Sequence, residues 1–450
     1  MEKIKPRTLS GFMELLPRDQ VYFDAMTQKL RESFSLYGFT PLDTPLMEAA
    51  EVLLAKGGGE TEKQIYRLQK GDVDLAIRYD LTTSLAKYVA MNHGRLTFPF
   101  RRYEIGKVYR GERAQRGRFR EFYQADIDII GDGKLDLLSE AEIPSVIYRC
   151  MTSLGLRRFV IHVNNRKVLG GFFELLGIQD DTTGVMRAVD KLEKIGVDKT
   201  ACLLTDETGL TQAQADELLG LVTHKGDPFE ILEKYKGRSE MFDRGVYELE
   251  TLARYMSAFG VPDTHFKVDL SIARGLDYYT GTVYETVLPD YPEIGSICSG
   301  GRYDELAEFY TNKKLPGVGI SIGLTRLFYV LQEQGFLSSD ILTAPADVLI
   351  IPMTDDLSHA VSLATSMRES GLLRVQIYGE DKKLAAKITY ADKLGIPFVV
   401  FLGEDEIKSG SVTVKDMQSG TQTTASSAMA TAKIAEKIKA LRGGEPIREP

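Results

Sequence analysis

The stretch FPFRRYEIGKVYRGERAQRGRFREFYQADIDII, residues 98–130, gives the clearest structural pattern in this chain. It predicts two long strands, Phe98 to Arg110 and Arg118 to Ile130, joined by the loop GERAQRG. Between positions 101 and 120 eight side chains are basic and two are acidic, although the whole protein has a formal net charge of −8. The pattern indicates a β-hairpin with a basic tip that meets an anionic ligand.

The second strand carries polar side chains on one face. Strand periodicity places Gln124, Asp126 and Asp128 on that face and turns Ala125 and Ile127 to the other. One interpretation is an edge strand whose polar face is solvated. The other is a site for a substrate that bears both an amine and phosphates, because these carboxylates lie close to the arginines of the preceding strand. Both interpretations stay open on this strand alone.

The spacing of Arg110, Glu112, Arg118 and Phe122 fits a nucleotide. Arg110 can fork onto a phosphate or a carboxylate, and Arg118 can reach other phosphate oxygens. Glu112 can pair with a purine edge, while Phe122 offers a stacking face. The alternative is a surface hairpin held by weak ion pairs. The sequence contains no GxxxxGK[ST] or GxGxxG loop, so any nucleotide is bound in another way.

Regions beyond the hairpin predict several domains. Consecutive long strands with helices to one side indicate an α+β core built on an antiparallel sheet. Residues 1–165 and 256–335 are expected to form the two parts of this core, with a polar helical insertion at 166–255 between them. Two successive βαβ units within residues 346–450 predict a smaller, doubly wound α/β domain.

Composition narrows the class of protein. The chain has 450 residues, of which 43% are hydrophobic and 27% charged, as in folded soluble proteins. No apolar run approaches the roughly 20 residues that cross a bilayer, and the start has neither a signal-peptide core nor a transit pattern. Three scattered cysteines and five histidines without metal-ligand spacing argue against a disulfide framework or a zinc site. A cytoplasmic protein that does not contact membranes is expected.

Three glycine-containing clusters follow further along the chain: ARGLDYYTG at 273–281, SGGRYD at 299–304 and GVGISIGLTRL at 317–327. Each alone is compatible with an ordinary turn. Together, their glycines predict a close approach of a ligand to the sheet.

These motifs resemble those of the class II aminoacyl-tRNA synthetases. Arg110 and Glu112 with Arg118 and Phe122 are similar to motif 2, GVGISIGLTRL is similar to motif 3, and Pro45 resembles the motif 1 proline. RGLDYYTG and GGRYD are similar to the two signatures of the histidyl-tRNA synthetase family. The resemblance covers nearly the whole chain in order, and the C-terminal α/β unit resembles the anticodon-binding domain of that family.

The resemblance implies a role for each site residue. Seven residues would bind histidine: Asp80, Thr82 and Gln124 at the α-amino group, Asp128 and Tyr279 at the imidazole, and Tyr278 and Tyr303 along the pocket. Five would bind ATP: Arg110 at the α-phosphate and the histidine carboxylate, Glu112 and Phe122 at adenine, and Arg118 and Arg326 at the outer phosphates. Arg274 would stabilise the charge that builds on the α-phosphate, which makes Arg274 and Arg110 the catalytic pair.

The implied activity is a histidine–tRNA ligase. Histidine and ATP would give histidyl-adenylate and pyrophosphate, with Mg²⁺ on the pyrophosphate portion and no metal held by the protein, before transfer of the histidyl group to the 3′ end of histidine tRNA. Motif 1 implies a symmetric homodimer. The alternative is a synthetase-like, histidine-sensing regulatory subunit of ATP phosphoribosyltransferase. The intact RGLDYYTG cluster, both motif arginines and the complete C-terminal domain argue against that alternative.

One position departs from the family pattern. Motif 3 usually carries a glutamate just before its arginine, whereas Thr325 precedes Arg326 here. The Thr325 hydroxyl is expected to bond to backbone at the start of a helix.

Overall fold

The computed structural model describes residues 3–55, 60–113, 117–179, 181–272, 278–335 and 341–442. The chain divides into two units. The larger unit extends to Gln334 but leaves out Leu15–Ala25, and the smaller unit combines Leu15–Ala25 with the chain from Gly335 onward. Within the described ranges, no helix is both long enough and apolar enough to pass through a membrane.

The chain up to residue 165 alternates helices with strands. Its elements are α1 (Pro17–Leu36), β1 (Thr40–Pro41), β2 (Met47–Ala49), α2 (Ala50–Leu53), α3 (Glu60–Gln64), β3 (Arg67–Lys70), β4 (Val73–Ile77), α4 (Thr82–Asn92), β5 (Phe100–Tyr109), β6 (Glu121–Ile130), α5 (Leu137–Ser153) and β7 (Val160–Asn165).

A helical segment comes next, followed by the strands that complete the larger unit. The helices are α6 (Arg166–Leu175), α7 (Thr182–Asp190), α8 (Leu192–Ile195), α9 (Val197–Asp206), α10 (Gln212–Val222), α11 (Pro228–Glu233) and α12 (Glu240–Ala258). The remaining elements are β8 (Phe266–Val268), β9 (Thr282–Val287), β10 (Cys298–Tyr303), β11 (Gly317–Ile322) and α13 (Leu324–Glu333). Gly171 and Gly245 let α6 and α12 pack closely, because a Cβ at either would overlap the backbone of the other helix.

An eight-stranded sheet, in the order β1-β5-β6-β11-β10-β9-β7-β8, forms the centre of the larger unit. The strands from β5 to β7 in this order pair antiparallel, while β1 and β8 add parallel pairs at the edges. The predicted α+β core on an antiparallel sheet is confirmed, with these short parallel edges as an addition.

Strand β6 lies inside the sheet, between β5 and β11. Every residue from Gln124 to Ile130 is buried. The apolar face, with Ile127 and Ile129, has no exposed surface, and α13 packs against this strand. The interpretation of an edge strand with a solvated polar face is therefore wrong, and the polar face of β6 needs partners inside the protein.

The smaller unit has its own five-stranded sheet. Its elements are β12 (Val348–Pro352), α14 (Ser358–Glu369), β13 (Val375–Ile377), α15 (Leu384–Lys393), β14 (Phe398–Leu402), α16 (Glu404–Ser409), β15 (Ser411–Asp416), β16 (Gln422–Ser426) and α17 (Ser427–Arg442). Parallel strands β13, β12 and β14 form the predicted βαβ units, and the antiparallel hairpin of β15 and β16 extends the sheet. This C-terminal α/β domain is confirmed, although the hairpin was not predicted.

Candidate active site

Two adjoining cavities, of about 410 Å³ and about 110 Å³, open on the polar side of the large sheet. All predicted site residues that the structure describes line one or both cavities: Asp80, Thr82, Arg110, Glu112, Arg118, Phe122, Gln124, Asp128, Tyr278, Tyr279, Tyr303 and Arg326. Arg274 lies outside the described residues. Residues that are far apart in sequence thus meet at one place because β6, β10 and β11 are neighbours in the sheet.

One end of this space is rich in arginine. The Arg110 Nε donates to the Tyr79 carbonyl oxygen over 3.1 Å, and its guanidinium lies 5.2 Å from the centre of the Phe122 ring. Within the described ranges the cation is held by stacking and by this hydrogen bond, so its remaining N–H groups can serve a ligand. Arg118 is more exposed and lies 3.8 Å from the Glu112 carboxylate.

Arg326 is fixed more firmly. Its Nε donates to the Gly117 carbonyl oxygen at 3.1 Å and its Nη1 to the Ser296 carbonyl oxygen at 2.7 Å. Burial, followed by the positive charge of Arg118, lowers the pKa of Arg326 below the usual arginine value. A cation that is destabilised by its neighbours in this way favours an anionic ligand beside it.

The basic stretch is less uniform than its sequence indicates. Arg101 pairs with Glu142 at 2.7 Å and Lys107 with Glu121 at 2.9 Å, so both serve the structure. Arg120 donates to a backbone carbonyl and Arg102 is completely buried. Among the described members of the stretch, the cavities are lined by Arg110 and Arg118. An anionic ligand in these cavities would therefore meet Arg110 and Arg118 among the described members of the stretch.

Hydrogen-bond acceptors dominate the opposite end. Asp80 accepts from the backbone N–H and the hydroxyl of Thr83, at 3.0 and 3.1 Å, and burial raises the pKa of this carboxyl. The Gln124 amide donates to the Ser321 hydroxyl at 2.6 Å. Its carbonyl oxygen is buried and has no hydrogen-bond partner among the described residues. This end of the cavity therefore suits a donor such as an ammonium group.

Beyond Gln124, the cavity is bounded by Asp128 and three tyrosines. The Tyr303 hydroxyl donates to Asp128 Oδ1 at 2.6 Å, and the Tyr278 ring packs edge-on against the rings of Tyr279 and Tyr303, with centroids 4.9 and 5.8 Å apart. Aromatic walls with a carboxylate and phenols at fixed positions fit a flat, polar ring.

The glycines of β11 make room for this arrangement. A Cβ at Gly319 would lie 2.6 Å from Asp128 Cγ, and a Cβ at Gly317 would lie 2.5 Å from Tyr303 Cζ. Both separations are shorter than van der Waals contact. These two glycines make room for protein side chains, and Gly319 also lines the larger cavity, where a close approach of a ligand was predicted.

Two residues near this site were given no role by the resemblance. Asp126, which the strand pattern placed on the polar face, lines the cavity between Gln124 and Asp128, and burial raises its pKa to about 8. Arg302 pairs with the buried Glu140 at 2.6 Å and with Asp304 at 2.9 Å, which holds the strand that carries Tyr303. The face shared by Gln124, Asp126 and Asp128 was a signal for Asp126, because alternation applies to all three.

Thr325 has a structural role at the end of the site. It lies in the first turn of α13, and its hydroxyl accepts from the Tyr123 backbone N–H at 2.8 Å. The expected hydroxyl-to-backbone bond is confirmed, and it joins the helix that carries Arg326 to strand β6.

Comparisons with known proteins match both units. The sequence profile of the family described as histidyl-tRNA synthetase matches residues 11–327, and that of the anticodon binding domain matches residues 347–441. A curated histidine–tRNA ligase of Clostridium tetani is 53% identical over 422 residues, which are 93% of this chain and 95% of that protein.

Comparison with solved structures also finds similarity to histidyl-tRNA synthetases. The crystal structure of histidyl-tRNA synthetase from Nostoc sp. PCC 7120 is 40% identical, with a TM-score of 0.86 over 97% of this chain and all of that one. A structure from Bacillus halodurans C, described as an ATP phosphoribosyltransferase regulatory subunit/histidyl-tRNA synthetase, has a TM-score of 0.73 at 20% identity, over 89% of this chain and 99% of that one. At that identity it shows a shared fold.

Proposed function

Since the chain belongs to the histidyl-tRNA synthetase family, we propose that the two adjoining cavities bind histidine and ATP side by side for the first step of tRNA charging. The protein is an ATP-dependent aminoacyl-tRNA ligase. It converts histidine and ATP into histidyl-adenylate and pyrophosphate, and it then transfers the histidyl group to the 3′ end of histidine tRNA. The observation that carries the proposed site is the junction of an arginine-lined end and a carboxylate-lined end in one space.

Histidine occupies the carboxylate-lined end in this proposal. Its α-ammonium group donates to Asp80, Thr82 and the unpaired carbonyl oxygen of Gln124. Its imidazole lies between Asp128 and Tyr279, and the rings of Tyr278 and Tyr303 complete the pocket. Fixed polar partners on the ring would be left unpaired by an apolar amino acid, which disfavours leucine or phenylalanine in this position.

ATP occupies the arginine-lined end. Adenine stacks on Phe122 and pairs with Glu112, Arg110 contacts the α-phosphate and the histidine carboxylate, and Arg118 and Arg326 contact the outer phosphates. A carboxylate oxygen of histidine attacks the α-phosphorus, and the bond from that phosphorus to the bridging oxygen breaks as pyrophosphate leaves. Positioning and cationic stabilisation are the main contributions that such a displacement needs from the protein.

Arg274 and Mg²⁺ complete the proposed reaction. The role proposed for Arg274, which the family motif RGLDYYTG supports, is to stabilise the charge that develops on the α-phosphate. Mg²⁺ arrives with ATP as part of the nucleotide substrate, since it is commonly held by phosphate oxygens and water with few protein ligands. In the second step, a hydroxyl of the terminal tRNA ribose attacks the carbonyl carbon of the adenylate, and AMP leaves.

The protein is also proposed to act as a homodimer. Beside Pro45, the small sheet of β2, β4 and β3 exposes apolar side chains: Leu46, Met47, Leu68 and Val73. Adjacent exposed apolar groups of this kind support a surface that a second copy covers. Residues 1–165 and 256–335 are proposed as the catalytic core, 166–255 as its insertion, and 346–450 as the domain that reads the anticodon of histidine tRNA in the cytoplasm.

The test is exchange of labelled pyrophosphate into ATP without tRNA, with each of the other amino acids as a control. Exchange that depends on histidine alone supports the proposed site, and subsequent charging of histidine tRNA tests the second step. Histidine binding without exchange would contradict it and favour the regulatory alternative.

A further inference from the structure

Arg102 is a buried cation next to the proposed imidazole site. It lies directly opposite Asp128 in the pairing of β5 with β6, and none of its side chain is exposed. Its Nη2 forms an ion pair with Asp128 Oδ2 at 2.7 Å and donates a hydrogen bond to the Leu81 carbonyl oxygen at 3.2 Å, while Asp128 Oδ2 accepts no hydrogen bond from the described residues. Arg102 does not line either cavity, so it is placed to act on a ligand through Asp128.

The guanidinium of Arg102 is itself held by a second ion pair. Its Nη1 lies 3.6 Å from Glu104 Oε2, and Glu104 Oε1 accepts from Arg78 at 2.8 Å and from Thr44. The Arg102 Nε and Nη1 have no hydrogen-bond partner within the part of the chain that the structure describes. A buried ion pair with unsatisfied N–H groups adds little to stability relative to apolar residues of the same volume. The arrangement is therefore better explained by what it does for Asp128.

Asp128 and Asp126 share one face of β6 but have different neighbours. Asp128 has Arg102 and the Tyr303 hydroxyl at hydrogen-bonding distance. Asp126 faces the Ser321 hydroxyl, and burial raises its pKa to about 8. Burial raises the pKa of Asp128 as well, the positive charge of Arg102 lowers both, and each carboxyl has one buried oxygen without a hydrogen-bond partner among the described residues. The close contact with the Arg102 guanidinium is what distinguishes Asp128. Two close buried carboxyls do not both ionise readily, so a cation beside one of them decides which carries the proton.

We propose that Arg102 is a positioning residue for histidine selection, which fixes Oδ2 of Asp128 and holds this carboxylate ionised, so that Asp128 accepts from the imidazole N–H. This inference rests on the proposed role of Asp128. A neutral imidazole has one N–H donor and one acceptor nitrogen. An ionised Asp128 accepts a hydrogen bond from the imidazole N–H, and the Tyr279 hydroxyl then donates to the other ring nitrogen. This pair of contacts selects one tautomer of the substrate histidine.

The charge of Asp128 also depends on the other groups that face it. These are Arg102 and Glu104 on β5, Asp126 on β6, Tyr303 on β10, and Asp80 and Tyr279 from loops. Arg102 is the cation within hydrogen-bonding distance of Asp128 among the described members of this set. Removing it leaves carboxyls and phenols, so Asp128 binds a proton more readily.

The test is the pH dependence of KM for histidine in pyrophosphate exchange, between about pH 6 and pH 8.5, where histidine itself titrates in the same way for every variant. Arg102→Met is expected to raise this KM by at least about tenfold at neutral pH, with a loss that grows as pH falls, while KM for ATP stays within about twofold of wild type. Arg102→Lys keeps the positive charge but not the planar guanidinium, so its KM for histidine is expected to lie between those of wild type and Arg102→Met.

Two further variants separate the proposal from a structural effect. Arg101→Met alters the preceding residue, whose side chain pairs with Glu142 away from the cavities, and is expected to keep the wild-type KM values. Asp128→Asn raises KM for histidine, and Arg102→Met added to it causes little further loss, because the two residues act through one contact.

Three results would overturn the proposal: equal losses for histidine and ATP in Arg102→Met, a loss that is the same at every pH, or additive losses in the double variant. If Arg102→Met does not fold, the pH dependence of KM for histidine is measured in Arg102→Lys instead. A wild-type KM and a wild-type pH dependence in that variant would show that the guanidinium is not needed and would contradict the proposal. Asp128→Asn with a wild-type KM for histidine would instead refute the proposed role of Asp128.

Discussion

Replacement of Gly319 by alanine should damage histidine binding far more than ATP binding. The new Cβ would lie 2.6 Å from Asp128 Cγ and 2.5 Å from the Ile127 carbonyl oxygen. Because ordinary contacts begin near about 3.5 Å, the Asp128 side chain must retreat by about 1 Å. The backbone oxygen of Ile127 belongs to the sheet and yields less, so most of the movement falls on the carboxylate.

That displacement has a calculable cost. Asp128 would lose its present geometry with the Tyr303 hydroxyl at 2.6 Å and with Arg102 at 2.7 Å. One impaired charged hydrogen bond is worth about 1.5–3 kcal/mol, which corresponds to a rise in KM for histidine of roughly 10- to 150-fold. Overpacking adds about 1–3 kcal/mol of destabilisation to the fold.

The assay is pyrophosphate exchange with histidine and ATP varied separately, together with urea unfolding. Gly323→Ala, in the same motif, is the control, because its Cβ would meet the nearest atom at an ordinary 3.6 Å and should leave KM for histidine unchanged. If Gly319→Ala keeps a wild-type KM for histidine, or if both glycine variants raise it equally, the steric explanation of this glycine is wrong.

Three other changes have distinct expected outcomes. Thr325→Ala removes the hydroxyl that accepts from the partly buried Tyr123 N–H and should lower the free energy of unfolding by about 1 kcal/mol in urea titrations, whereas Thr325→Ser should not. Arg326→Ala should reduce kcat/KM for ATP by about 100-fold with little change in KM for histidine. Arg326→Lys should not restore kcat/KM, because a lysine cannot make both guanidinium hydrogen bonds to the Gly117 and Ser296 carbonyl oxygens. Asp126 has a pKa of about 8 in the folded protein, whereas an aspartate in an unfolded chain has a pKa of about 3.9. Between these two values the folded state binds more protons than the unfolded state. A rise in pH therefore lowers the free energy of unfolding. The free energy of unfolding of Asp126→Asn should therefore rise relative to that of wild type, by up to about 1.4 kcal/mol per pH unit between about pH 5 and pH 8. If urea titrations give both proteins the same change of unfolding free energy with pH, the raised pKa of Asp126 is wrong.

Strand patterns predicted the long hairpin and the βαβ units well because their period and turn residues are local. The sequence after the prolines of FTPLDTPL predicts a helix that begins near Met47, but this segment forms β2 before the short α2. SGGRYD, predicted as a possible turn, forms β10, where Gly300 and Gly301 permit close packing that a Cβ would prevent. In both cases pairing with a distant strand outweighs local preference.

The sequence predicted the site residues that belong to recognisable motifs. It did not predict contacts that depend on how one strand is aligned with its neighbour. Asp128 and Tyr303 belong to motifs, and the structure brings them together. Arg102 was counted within the basic stretch because its sequence alone gives it the same charge as Arg101 and Arg110. Only the register of β5 against β6, which sets Arg102 opposite Asp128, distinguishes it from Arg101.

Arg110 borders both cavities. Stacked on Phe122 and bonded to the Tyr79 carbonyl oxygen, it is the wall that histidine and ATP share in the proposed site. We expect the first ligand to order the part of the guanidinium that faces the cavities, so that the second ligand loses less conformational entropy on binding. The affinities of the two ligands are therefore thermodynamically linked, and linkage requires each to strengthen the other by the same factor.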